Sequence, residues 1–330
     1  MMTPKELFLA MCKGEKTDRL INGYEYLDLI FSDPLMNLEQ RKYPGESVCP
    51  WGVHFMWPEG ELGATPYITE ENKVCPDIEE WREYVHAPSL DVPESAWDTA
   101  KAQVAACKKD GSKLSTLWCH TGLFERFHFL MGFEDALCNL LACPDESKEL
   151  VDYIVDWRID FMRRCFEHLD VDAVFFHDDW GSKTSTFFSP DTFREIFKPG
   201  YERLYGFIKS QGKLLIHHSD TYAATLVDDM IDLGIDCWQG VVPANNLPEL
   251  QKKYNGKIIF QGGFDSGVVD RNDSTEEEIR AHVAKVFEES AKLGAWIPSI
   301  TNGDPGCIHD SAYKIIVDEC ARQIEWYRTV

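Results

Sequence analysis

In the second half of the chain, short and nearly unbroken apolar runs alternate with longer stretches whose apolar residues recur every three or four positions. The runs cover residues 173–176, 214–216, 235–238, 258–260 and 296–300, and each leads into polar or glycine-containing sequence. Such runs read as strands buried on both faces. Between them, residues 221–233 carry Leu226, Met230 and Leu233 at helical spacing and stop at Gly234, a good C-terminal cap. Residues 274–293 open on the capping box Ser274/Glu277, continue with Ile279, Val283, Val286 and Phe287, and end at Gly294. Earlier, Thr3 and Glu6 form a second box with Pro4 at the first helical position. Residues 114–118 read as a further strand, and a long helix is expected over Pro144–His168.

Strand and helix alternating this often predict a parallel sheet with helices outside it. No Gly-x-Gly-x-x-Gly follows an early strand, which removes the main argument for an open dinucleotide-binding sheet. Ionisable residues follow several different strands instead, as in the active site of a (β/α)8 TIM barrel, and that α/β fold is the expectation. Residues 32–100 are loop-rich and hold Trp51, Phe55, Trp57 and Tyr67. They read as an insertion over the barrel mouth. With no repeat or linker, residues 1–330 are expected to form a single domain.

Charge narrows the partners. Fifty-six acidic residues against 33 basic ones give a formal charge of −23, a field that repels nucleic acid and anionic lipid. No stretch approaches the roughly 18 apolar residues of a membrane span, and the opening residues lack the basic-then-apolar run of an export signal. Eleven cysteines without a C-x-x-C pair read as reduced thiols, so a cytoplasmic location is expected.

Four histidines, His120, His177, His217 and His218, stand at or just beyond the ends of apolar runs, where a barrel converges on its mouth. Each alone reads as an ordinary histidine near the core; four together favour a site. Gln239, Gln261 and Asp265 follow runs in the same way and are expected to face the same cavity. Asp178 and Asp179 are neighbours, so an extended backbone points them to opposite faces. His218 and Asp220 share a face at i, i+2 and can share a metal ion; capping the next helix is an equal alternative for Asp220. Cys307 lies in a glycine-flanked loop after the last clear run.

At these residues the chain resembles the uroporphyrinogen decarboxylase-like superfamily, especially its cobamide-dependent methyltransferase branch. The resemblance runs nearly end to end. It rests on the Thr3-Pro4-Lys5-Glu6 opening with Asp18-Arg19, on Trp51-Gly52-Val53 and on Gly122-Leu123-Phe124-Glu125. It rests further on Asp178-Asp179-Trp180-Gly181, His218-Ser219-Asp220, Gln261-Gly262-Gly263-Phe264-Asp265 and Gly306-Cys307. True decarboxylases carry an Arg-Gln-Ala-Gly-Arg element after the first helix, where this chain has Leu20-Ile21-Asn22-Gly23-Tyr24-Glu25-Tyr26.

The resemblance implies zinc held by His218 and Cys307, with Asp220 where the branch has a Cys. A carboxylate in place of a thiolate makes the site harder and better matched to oxygen. The implied activity is transfer of a methyl group from a methyl ether (aryl ethers included) or a methylamine to cobalamin on a partner corrinoid protein. Catalytic roles then fall to His177, Asp178, Asp179, His120 and Glu125, and substrate contacts to Gln239, Gln261, Asp265 and Trp180. Two other readings stand beside it: a metal-free decarboxylase using Asp178 or Asp179 as proton carrier, and a non-catalytic tetrapyrrole- or corrinoid-binding protein.

Overall fold

The computed structural model describes residues 1–39, 45–59, 64–301 and 308–329. After a first helix, Pro4–Cys12, come β1 (Leu27–Ile30), β2 (Gly45–Val48), β3 (His54–Trp57) and β4 (Thr65–Pro66). They are followed by β5 (Leu114–Cys119), β6 (Ala173–His177), β7 (Leu214–His218), β8 (Cys237–Val241), β9 (Ile259–Phe264) and β10 (Trp296–Ile300). The order β1-β5-β6-β7-β8-β9-β10 is one sheet, parallel throughout, and β2-β3-β4 is a small antiparallel sheet. The parallel sheet curls until its edges meet: the Gly23 amide, just before β1, donates to the Pro298 carbonyl of β10 at 3.0 Å. The fold is TIM-barrel-like, with seven barrel strands among the described residues where eight were expected.

Register explains the interior. Trp118, Phe175, Ile216, Cys237 and Ile259 stand opposite one another on successive strands and form an apolar layer. Two residues further along, His177, His218, Gln239 and Gln261 form the next row. Period-two alternation therefore puts a polar row directly above an apolar one. A bulge between Gln239 and Val241 sets this register locally. Gly240 there has φ +106°, and a Cβ would lie 2.6 Å from the Ser219 carbonyl oxygen. Only glycine fits.

The first helix closes the opposite end. Thr3 and Glu6 cap it reciprocally, and Leu7, Phe8 and Met11 pack under the strand starts, with Phe8 stacked 4.6 Å from Tyr26. Lys5 fixes its position through Asp172, 2.8 Å away just before β6.

Two expected helices shift. The helix expected from 274 is Glu276–Ser290, capped by Thr275 and Glu278, because the Ser274 hydroxyl is spent on the Arg271 amide and Val268 carbonyl. The one expected from 221 starts as a short turn, Ala224–Leu226, whose leading amides of Ala223 and Ala224 are accepted by Asn245 at 2.9 and 3.0 Å.

The small sheet packs on the outer helices: Phe55 meets Phe129 edge-on at 5.9 Å, and Trp51 meets Trp157 at 4.9 Å. Two of the four aromatics of the segment expected over the mouth thus belong to the core, while Trp57 is half-buried and Tyr67 exposed. Glu39 ties the segment down, accepting from Arg126 on one oxygen and from Arg158 on the other at 2.8 Å. All three side chains are fully buried.

Candidate active site

Alternation along β7 separates the paired histidines. His217 points outward, where Tyr205 Oη meets its Nδ1 at 2.8 Å and Trp180 covers its ring. His218 points into the barrel beside His177, ring centroids 4.2 Å apart, and His120 lies 4.5 Å beyond His177. Three imidazoles thus form a row across the mouth. Glu125 lies beside the central His177, 3.1 Å from its Nδ1, and Asp179 beside His218, 4.0 Å from its Nε2. Donor atoms of His120, Glu125 and His177 lie within 4.8 Å of one another, and so do those of His177, Asp179 and His218.

Hydrogen bonds fix the tautomer of His218. Gln239 Nε2 donates to the Thr301 carbonyl at 3.2 Å and to Tyr24 Oη at 2.9 Å. Its Oε1 is therefore the face toward His218 Nδ1, which must donate the proton. Nε2 then carries the lone pair toward Asp179. Burial, with His177 beside it, pushes the imidazolium down to about 3, so the ring is neutral near pH 7.

The adjacent aspartates part company, as opposite faces require. Asp178 is fully buried and accepts the amides of Phe124 and Glu125 at 3.0 Å each, together with the Tyr201 hydroxyl. It anchors the start of the helix Leu123–Met131, so its expected catalytic place is taken by a structural one. Trp180 Nε1 donates to Tyr201 at 2.9 Å, completing the chain Trp180–Tyr201–Asp178. Gly122 belongs to the same device: a Cβ there would fall 2.0 Å from Asp178 Cγ. Burial and the nearby Glu125 charge raise the Asp178 carboxyl to about 7. Asp179 faces the histidine row and accepts the Asp220 amide at 3.1 Å. Burial and the Asp220 carboxylate raise it well above the usual range.

Other expected residues lie elsewhere. Trp180 is fully buried against Phe193, Tyr201 and His217, so it packs the outer layer and does not line the cavity. Asp265 caps the short helix Ser266–Val269 and borders a groove of about 560 Å³ with His282, outside the barrel. Gln261 is deep and held by the Tyr26 hydroxyl at 2.6 Å. Asp220 adjoins Asp179, and the next turn takes no cap from it. Cys307 lies outside the described residues. Sequence reasoning missed Tyr24, Tyr201 and the Glu39–Arg126–Arg158 group. Tyr24 sits in the very stretch that departs from the decarboxylase element, which was its signal.

A TIM-like barrel with ionisable side chains gathered at its mouth defines a class of barrel enzymes. Within it, the family description of uroporphyrinogen decarboxylase (URO-D) matches residues 59–303, and the chain belongs to that family. A methyltransferase from Methanosarcina mazei shares the fold, with a TM-score of 0.66 and 15% identity over 99% of this chain and 100% of that one. An endo-β-1,4-xylanase from Gloeophyllum trabeum aligns over 92% of this chain and 96% of that one at 12% identity, but its TM-score of 0.43 carries no argument. No curated protein matches the sequence.

Proposed function

We propose that this protein is a zinc-dependent methyltransferase that moves a methyl group from a small methyl ether or methylamine to a corrinoid protein. The observation that carries the reading is His218: neutral, locked by Gln239, with its Nε2 lone pair aimed at Asp179. A neutral imidazole and a carboxylate suit zinc, and Cys307 is the expected further ligand. Bound there, zinc supplies Lewis-acid activation of the substrate heteroatom.

The chain's own groups supply the rest. His120 and His177 are half-buried beside His218 and are placed to hand a proton to the leaving heteroatom, with Glu125 orienting His177 at Nδ1. Trp118 is stacked on Phe175 at 4.9 Å and lies 5.2 Å from the part-exposed Phe31, an aromatic wall suited to an aryl methyl ether. A tetrapyrrole bearing many carboxylates is disfavoured, since Arg126 and Arg158 are committed to Glu39. The second reading, a decarboxylase, rests on Asp179 as a proton carrier whose carboxyl burial has raised.

The test is zinc analysis of the purified chain together with a screen of methylated substrates, read by loss of the cob(I)alamin absorbance. Zinc-dependent methyl transfer that His218→Ala abolishes supports the reading. Decarboxylation by the metal-free chain, or methyl transfer indifferent to His218→Ala, overturns it.

A further inference from the structure

We propose that His120, Glu125 and His177 hold a second divalent transition-metal ion, beside the position at His218 and Asp179. The three come from one end of the histidine row: His120 directly after β5, Glu125 in the first turn of the next helix, and His177 at the end of β6. Two strand ends and a helix anchored by Asp178 therefore fix the three backbones independently. Their donor atoms already lie within 4.8 Å of one another. Zinc bonds of about 2.0–2.2 Å place tetrahedral donors roughly 3–4 Å apart, so small rotations of the side chains suffice.

Two imidazoles and one carboxylate are a set that selects a borderline divalent ion and leaves room for water or substrate. The two carboxyl groups belong to different groups of donors, Glu125 to that of His120 and His177 and Asp179 to that of His177 and His218. Each group therefore has its own carboxyl, which gives up its proton to balance a bound cation. His177 belongs to both groups of donors, so the two positions adjoin, as they do in paired-metal sites. With both imidazoles ligating, the cation would take the place of their proton in stabilising the departing oxygen, and so favours substrates bearing a second oxygen near the methyl-bearing atom.

Zinc titration of the chelator-stripped full chain against a chromophoric competitor tests this, with circular dichroism confirming the fold of each variant. About two equivalents are expected for the wild type, and about one each for Glu125→Gln and His120→Ala, the remaining ion being lost on His218→Ala. Glu125→Gln keeps an oxygen for the Gly122 amide, which Glu125 accepts at 3.1 Å, so the helix start survives. Saturation of the wild type at one equivalent, or two equivalents retained by both Glu125→Gln and His120→Ala, overturns the proposal. A chain that takes two ions yet transfers no methyl group refutes the functional reading alone.

Discussion

Replacing Asp178 by Asn removes a charge and one acceptor from a fully buried anchor. The carboxylate accepts two backbone amides, at 3.0 Å each, and the Tyr201 hydroxyl. Asparagine keeps one oxygen, so one buried amide loses its partner, at a cost of about 1–3 kcal/mol. The pH dependence is more telling. Because the folded carboxyl is raised from 3.8 to about 7, the folded state holds a proton that the unfolded state has released across that interval. Stability from this group is complete below pH 3.8 and falls as pH rises toward 7. Urea unfolding of both proteins at pH 5 and pH 8, followed by tryptophan fluorescence, gives the comparison. The wild-type advantage over Asp178→Asn should be larger at pH 5 and smaller at pH 8. An advantage equal at both pH values, or larger at pH 8, would refute the reasoning.

Glu39→Gln leaves Arg126 and Arg158 fully buried without their shared anion, and should cost about 3–5 kcal/mol; a thermal midpoint unchanged from wild type would contradict this. Gln239→Leu removes the acceptor that holds His218 Nδ1–H, and zinc affinity in competition titration should fall about 10–100-fold. Unchanged affinity would mean that the glutamine does not orient the ligand.

Six strands of the parallel sheet were legible as short apolar runs, a signal confined to neighbouring residues, whereas β1 (Leu27–Ile30), broken by Asp28, was not expected. Legible too was the convergence of His120, His177 and His218, since strand ends in a barrel meet at one mouth. What stayed hidden depends on partners far along the chain. Asp178 and Asp179 are indistinguishable as letters; Tyr201, 23 residues on, and the helix at 123 decide which one is structural. His217 and His218 are told apart by the pleat, which places one against Tyr205 and the other against Gln239. The resemblance gives Trp180 a substrate contact, yet the turn after β6 carries it back into the outer core.

The helix Pro4–Cys12 stoppers the barrel beneath the apolar layer, so no route to the histidine row runs through that end. Under the proposed function, substrate and demethylated product then share the doorway at the other end. A macromolecular methyl acceptor large enough to cover that doorway blocks it while it is docked. Under the proposed function, exchange of the small molecule and engagement of the acceptor are mutually exclusive events. Turnover should follow a compulsory order, with excess acceptor slowing the enzyme by occupying it before the methyl donor has entered.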